Sequence, residues 1–416
     1  MNCLPYHPNY LIFAIYSIFI MQTIGVKLKK GKEISILRKH PWVFSGAIQS
    51  LPKSIRDGDV TSVYTYDGLY LGKGHFQSGA SIAVRILTFE QQEIDQHFWN
   101  KTILQAKTYR QNLHLPSSDT NAYRLIHGEG DGISGLIIDI YNDTAVMQCH
   151  TIGVHLAKKE ICSALIQAFG SNISNIYVRC KDTLPLPYSE SVENEYLLGS
   201  AQETQMQENG VKFQINFVEG QKTGFFLDQR HNRHHLASIA KDKKVLNCFC
   251  YTGGFSVYAL KAGAALVDSA DISQKAIDLL EENLLINNIT KHHTSYCVNV
   301  MQFLADEKLT QYDIVVVDPP AFAKSIQKRH NAVQAYKRLN ALALKKVKPG
   351  GFLFTFSCSQ VVGNQLFYDT IVAAGIEAGI QARVVQSLSQ GPDHPINLFH
   401  PEGHYLKGLL LYIEPN

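Results

Sequence analysis

This chain of 416 residues lacks the spacings by which metal and redox sites usually show themselves. Its cysteines stand at 3, 149, 162, 180, 248, 250, 297 and 358, with no Cys-x-x-Cys pair. Zinc ribbons and fingers are thereby excluded, and a disulfide framework is not expected in a chain this long. His234 and His235 have no glutamate or cysteine at ligand spacing, so no metal is expected. A reducing cytoplasm fits these free thiols best. Absent too is the spaced Gly-x-Gly-x-x-Gly turn of dinucleotide enzymes, which argues against a nicotinamide oxidoreductase. The net charge of +3 is too small to establish a nucleic-acid partner.

Long apolar runs are also missing. The longest, Leu11 to Met21, would reach only ~16 Å as a helix, about half the ~30 Å hydrocarbon core. No lysine or arginine precedes it and no small-residue cleavage site follows. Residues 1–21 are therefore read as an extension outside the fold, with Met21 a candidate initiator; a short membrane-associating tail is the rival reading.

What is present is organised in three blocks. Residues 22–95 carry short β-rich runs (Ile34-Ser-Ile-Leu37, Val60 to Tyr66, Leu69 to Phe76, Ser81 to Leu87), punctuated by Asp57-Gly58, Asp67-Gly68 and Ser78-Gly79. That spacing predicts a small β-barrel. Residues 96–210 read as an α+β unit: a helix through 93–113, a strand–turn–strand from Tyr123 to Tyr141, a strand from Thr144, a helix over 153–168 and a strand near Ile176. The stretch 182–210 is polar and reads as loop. From Val211 to the end, strands and helices alternate, which predicts a doubly wound parallel α/β sheet of Rossmann type.

Within that last block, Val245-Leu-Asn-Cys-Phe-Cys-Tyr-Thr-Gly-Gly-Phe-Ser256 reads as an apolar strand running into a glycine turn that opens a helix. Asp271 follows eighteen residues after Gly253 at the end of the next strand, where a carboxylate can accept from a ribose diol. Its bland reading is a helix N-cap, a role Ser273 could fill equally. The all-apolar strand Ile314-Val-Val-Val317 ends in Asp318-Pro-Pro320, and Phe352-Leu-Phe-Thr-Phe356 ends in Ser357-Cys358-Ser359 at the same sheet edge. Cys248 and Cys250, two apart, are expected to pack on one side of their strand. Lys27, Lys29, Lys30, Lys32, Arg38 and Lys39 crowd the start of the first block against Glu33 alone. That run is either a solvated face or a phosphate-binding one.

Gln221-Lys-Thr-Gly-Phe-Phe-Leu-Asp-Gln-Arg230, Cys250-Tyr-Thr-Gly-Gly-Phe255, Asp318-Pro-Pro-Ala-Phe322, Thr355-Phe-Ser-Cys-Ser359, Gly391-Pro-Asp-His-Pro and His404-Tyr-Leu-Lys-Gly408 together carry a resemblance. The chain resembles the class I S-adenosylmethionine-dependent methyltransferases, in the group similar to bacterial large-subunit ribosomal RNA methyltransferase I. Leu37-Arg-Lys-His-Pro-Trp-Val-Phe-Ser45 resembles the opening of that group's PUA domain. The likeness implies S-adenosyl-L-methionine as cofactor and 23S ribosomal RNA as partner. It places Lys222, Thr223, Gly224, Phe225 and Gln229 on one side of the cofactor, and Phe249, Tyr251, Thr252 and Gly253 around its amino-acid part. Asp271 and Ile272 would hold the ribose and adenine edge, and Asp318 would face the methyl group. Two positions depart from the pattern: Asn247 and Asn299 stand where acidic residues are usual, and the Asn299 carbonyl is expected to meet the adenine amine.

The resemblance further implies methylation of cytosine carbon 5, with Cys358 as covalent nucleophile and Asp318 beside the base. Lys27, Lys29, Lys30, Arg38, Lys39, Arg230 and Arg233 are the expected backbone contacts on RNA. A guanine-nitrogen methyltransferase on the same fold, and a non-catalytic RNA-binding assembly factor, remain alternatives. A homodimer is compatible with the sequence, and no stable membrane association is expected.

Overall fold

A computed structural model describes residues 25–415; the amino-terminal extension lies outside the described residues. Strands β1 (Gly25–Leu28), β2 (Trp42–Phe44), β3 (Ile48–Ser50), β4 (Val60–Tyr64), β5 (Tyr70–Phe76) and β6 (Ile82–Thr88) form one sheet in the order β2-β6-β5-β4-β1-β3. Alternation makes it work: Val26 and Leu28, Val63, and Val84 and Ile86 all turn inward onto one core. The run Ile34–Leu37 is a helical turn and not the expected strand. Its amides bond back along the chain, Leu37 N–H to the Glu33 carbonyl and Arg38 N–H to that of Ile34, and only Ile36 is buried.

The second sheet runs β11-β10-β9-β8-β7, from β7 (Ala122–His127), β8 (Leu136–Tyr141), β9 (Thr144–Cys149), β10 (Asn175–Val178) and β11 (Glu195–Leu198). A helix over Gln96–Asn112, capped by the Asp95 carboxylate at the Phe98 amide, and a second over Lys158–Phe169 cover one face. Phe98, Trp99, Ile103, Ile161 and Leu165 pack there onto Leu136, Ile138 and Met147. The other face carries Tyr141, Val146 and Tyr177, which join Phe213, Phe225 and Tyr258 of the carboxyl-terminal half. This two-sided burial explains why every residue of β9 is buried. The polar stretch 182–210, expected as loop, contributes β11 and also β12 (Glu203–Glu208), which forms a hairpin with β13 (Val211–Asn216) across the junction of the two halves.

The third sheet adds β14 (Lys244–Cys248), β15 (Leu266–Asp271), β16 (His293–Cys297), β17 (Tyr312–Val317), β18 (Val347–Ser357), β19 (Ala382–Leu388) and β20 (Lys407–Ile413). Its order is β16-β15-β14-β17-β18-β20-β19, parallel except for β20, which runs antiparallel to both neighbours. Strand order reverses on either side of β14, so a crevice opens at the carboxyl ends of β14 and β17.

Buried charge joins the blocks. Arg233, on the helix Arg230–Ile239, gives Glu208 of β12 a two-pronged bond at 2.8 Å through both Nε and Nη2, while its guanidinium lies over the Phe225 ring. Arg230 pairs with Asp393 and donates to the Ala122 carbonyl at 2.7 Å. Neither arginine is available to hold RNA, contrary to expectation: they are 3% and 2% exposed. Their charge is consumed within the protein because Asp393 and Glu208 are themselves fully buried. Arginine 233 to methionine should cost about 3–5 kcal/mol, since it leaves Glu208 as an uncompensated buried charge. Denaturant unfolding of Arg233→Met measures this, and the double variant with Glu208→Leu should recover much of the loss.

Candidate active site

The crevice is built from loops that leave the sheet at one edge. Cys248 of β14 pairs with Val317 of β17, and Val317 pairs with Thr355 of β18, so residues 249–253, 318 and 358 emerge side by side. The first loop is the most constrained backbone in this half. Phe249 (φ 58°), Tyr251 (φ 46°) and Gly253 (φ 80°) all adopt left-handed conformations. The turn at Phe249 breaks the strand alternation, so Cys248 and Cys250 bury into different cores and not on one side. A Cβ on Gly253 would lie 1.9 Å from Leu280 Cδ1. Gly253→Ala is therefore expected to displace the loop from the helix Gln274–Ile286 and to abolish cofactor binding, which calorimetric titration with S-adenosylmethionine would read.

Asp271, at the end of β15, ties the same loop down. One carboxylate oxygen accepts from the Tyr251 amide at 3.0 Å and the other from the Ser273 amide at 3.0 Å. Ser273 itself caps the following helix, accepting from Ala276 at 3.3 Å, so Asp271 is not the cap. Ile272 beside it is 70% exposed, an apolar surface at the rim where a flat ring can lie. Asn299 is exposed nearby, but its carbonyl already accepts from the amides of Met301 (3.0 Å) and Gln302 (3.2 Å) as the cap of a short helix. The expected acceptor for an adenine amine is thus committed to the backbone. Asn247 is buried and donates to Ser256 Oγ at 2.8 Å.

Residues 222–229 divide between support and site. Thr223 is buried and donates to Asp139 of β8 at 2.6 Å, and Phe225 packs between Phe213 and Arg233. These two side chains brace the loop and do not face the crevice, because the middle sheet captures them. Gly224 crosses Ile215 and Phe217 with no room for a Cβ, and Lys222 is exposed. Tyr251 OH joins the two loops, accepting from the Gln221 amide at 2.9 Å and donating to the Gly224 carbonyl at 3.2 Å. Gln229 reaches furthest in: its Nε2 donates to Asp318 Oδ2 at 2.9 Å.

Asp318 and Cys358 follow the ends of the adjacent strands β17 and β18, near enough for the charge of one to act on the other. Burial pushes the Asp318 carboxyl up to about 7, and the neighbouring Asp228 carboxylate adds to the rise. The Cys358 thiol is pushed up to about 11, chiefly by burial and then by the charges of Asp318 and Asp228. Cys358 as a residue is half-buried, packed against the core of the sheet. The loop after it is pinned by Ser359 Oγ, which donates to the Ala323 carbonyl at 2.6 Å.

Two polar side chains of this site, Asp228 and Lys407, were not singled out as site residues from the sequence. Asp228 accepts from Tyr405 OH at 2.6 Å, which holds its carboxylate toward Asp318. Lys407, at the start of β20, is buried and donates to the carbonyls of Ser359 (2.8 Å) and Tyr405 (2.6 Å), keeping an ammonium beside Cys358. Burial lowers its pKa to about 8. Both lie inside stretches that carry the family resemblance, Gln221 to Arg230 and His404 to Gly408, and a lysine opening an otherwise apolar strand was a further signal.

The amino-terminal lysines occupy a different surface. Lys29, Lys30, Arg38 and Lys39 are exposed, and Lys27 is half-buried. Lys30 and Lys39 stand over the rings of Tyr66 and Phe89. Arg38 and Lys32 line a groove of about 580 Å³ whose other wall is Leu398, Phe399 and Pro401 of the carboxyl-terminal tail.

The seven-stranded sheet and its crevice define the class: an α/β fold that presents a nucleoside cofactor at the strand ends. An S-adenosylmethionine-dependent methyltransferase family model matches residues 182–398, and a PUA-like domain model matches residues 26–89. Ribosomal RNA large subunit methyltransferase I of Pseudoalteromonas atlantica is 39% identical over 393 residues, covering 92% of this chain and 98% of the relative. That of Shewanella amazonensis is 37% identical, covering 93% and 99%. An S-adenosylmethionine-dependent methyltransferase structure from Streptococcus mutans superimposes with a TM-score of 0.81 at 23% identity, over 94% of this chain and all of that one. A methyltransferase solved with S-adenosylhomocysteine gives the same score at 22% identity. The chain belongs to the S-adenosylmethionine-dependent methyltransferase family, within the ribosomal RNA large subunit methyltransferase I group, and carries an amino-terminal PUA-like domain.

The crevice fits that cofactor. Thr252 Oγ1 is buried without a partner among the described residues, and the left-handed 249–253 turn brings bare backbone to the crevice floor. S-adenosyl-L-methionine is the methyl donor. Among the described residues no helix is long and apolar enough to cross a membrane.

Proposed function

We propose that this protein methylates carbon 5 of a cytosine in 23S ribosomal RNA through a covalent adduct at Cys358. The single observation that carries the reading is that a half-buried thiol and a buried carboxyl leave the ends of adjacent parallel strands at the cofactor crevice. The relatives' name supplies the large ribosomal subunit as substrate. The PUA-like domain and its exposed Lys29, Lys30, Arg38 and Lys39 supply a surface for phosphates. The groove between that domain and the tail lies beside these cations.

The cofactor, when bound, supplies an electrophilic methyl group. Carbon 5 of cytosine becomes nucleophilic only when sulfur adds to carbon 6. A carboxyl with a pKa near 7 suits the proton traffic of that addition. The thiol proton passes to ionised Asp318 and on to N3 of the base as the carbon–sulfur bond forms. Carbon 5 takes the methyl group, a water molecule carries off its remaining proton, and as the carbon–sulfur bond breaks the N3 proton returns through Asp318 to the sulfur, restoring the thiol and the carboxylate. Gln229 fixes the Asp318 carboxyl throughout, and the Lys407 ammonium opposes the carboxylates that disfavour a thiolate at Cys358. The base must leave its helix to reach such a crevice, so a loop or flipped nucleotide is the substrate.

Mass-spectrometric mapping of ribosomal RNA from cells lacking the protein tests the reading. One 5-methylcytosine in 23S RNA should disappear and return on complementation. Loss of a methylguanine instead, or of no mark, overturns it.

A further inference from the structure

Outside the crevice, three ligating side chains meet where the PUA-like domain touches the carboxyl-terminal tail. His40 precedes β2, and His400 and Glu402 belong to the tail; their donor atoms all lie within 4.8 Å of one another. His40 Nε2 is 3.6 Å from one Glu402 oxygen and His400 Nε2 is 3.8 Å from the other. These separations are too long for hydrogen bonds. A tetrahedral zinc ion with ligands at ~2.0–2.1 Å sets its donors roughly 3.3 Å apart. Small side-chain adjustments therefore close the site, and Glu402, half exposed, is free to make them.

The independent observation is His400. Its side chain is 4% exposed, yet neither ring nitrogen has a hydrogen-bond partner among the described residues. A buried imidazole left so is destabilised, because it has lost water without gaining a partner. The Trp42 ring, 4.3 Å from the His400 ring, seals one side, and the Trp42 indole is itself held by Glu129 at 2.8 Å. The rigid surroundings thus aim an unpaired nitrogen at a carboxylate and a second imidazole.

We propose that His40, His400 and Glu402 form a site for a zinc-class divalent cation that fastens the PUA-like domain to the methyltransferase tail. Two neutral imidazoles and one carboxylate are the borderline donor set that zinc prefers over magnesium or calcium. His40 enters through Nε2, so its ring proton moves to Nδ1 and the 3.2 Å bond from the Trp42 amide is given up. His40 also lines the groove that holds Lys32 and Arg38, and His400 and Glu402 flank Pro401 on its other wall. The ion would thereby set how the RNA-binding surface faces the crevice.

The test uses the full-length protein, stripped with a chelator and then titrated with zinc by calorimetry and with cobalt(II) by visible absorption. One equivalent of each should bind, the cobalt form should show the intense bands of a four-coordinate ion, and zinc should raise the melting temperature. Glu402→Gln, at a half-exposed position that leaves folding intact, and His400→Asn should both lose the uptake. Cys297→Ser, which removes the exposed thiol, should keep it. Absence of stoichiometric uptake, its persistence in Glu402→Gln, or its loss in Cys297→Ser would each overturn the proposal.

Discussion

Cys358→Ala should lower methyl transfer to 23S RNA by on the order of 10⁴–10⁶-fold, the scale on which removal of a covalent nucleophile acts, while S-adenosylmethionine binding persists. The separation follows from position. The sulfur stands past the end of β18, whereas the proposed cofactor contacts lie on the turn at 249–253 and at Asp271, on other strands. Single-turnover assays with calorimetry on the same protein read both quantities. Turnover within about tenfold of wild type would remove the thiol from the mechanism. RNA carrying 5-fluorocytosine should trap the wild-type protein covalently and leave Cys358→Ala free, because fluorine at carbon 5 cannot depart as a proton. At pH 7 the resting thiol is protonated, since burial and two carboxylates hold it at about 11. The Lys407 ammonium, fixed by two carbonyls, is the nearby counter-charge.

Asp318→Asn should abolish methyl transfer and stabilise the protein, and the second effect has a defined pH window. The carboxyl sits at about 7 in the folded chain against 3.8 unfolded. Between those values the folded state holds a proton that the unfolded state has released, so stability falls as pH rises from about 4 to about 7 and stays low above. Three pH units correspond to roughly 4 kcal/mol, an upper figure for a side chain at a crevice mouth. Asparagine removes that penalty and keeps the acceptor for Gln229. Thermal unfolding should show Asp318→Asn more stable than wild type at pH 8 and equal to it near pH 4. An equal gain at both values would assign the effect to packing and not to ionisation. A site that is costly to keep charged, and kept nonetheless, is what a proton-handling role requires.

Much of this was readable in the chain. The alternation of strand and helix after Val211, the glycine turn, and the acidic and thiol residues closing apolar strands all lie in local patterns of period 2 or 3.6. The same local logic failed at Ile34–Leu37, where apolar alternation folded as a helical turn, and at 195–208, where polar strands are held by neighbours supplied from elsewhere. Arg230 and Arg233 looked like RNA contacts because a basic helix start carries no mark of burial. Their partners Asp393 and Glu208 lie 163 and 25 residues away in sequence. Asn299 was expected at the adenine amine, and the short helix after it claimed its carbonyl first.

By itself the sequence determined the alternation that builds the cofactor-binding sheet and the acidic and thiol residues that close its strands. Those depend on which residues sit at strand ends, a property of neighbours along the chain. Only the tertiary structure decided which charges remain free. Pairing in a low-dielectric interior couples residues distant in sequence, and it turned two arginines into struts. It also placed Asp228 and Lys407 around Cys358, and left the His400 ring buried without a hydrogen-bond partner among the described residues.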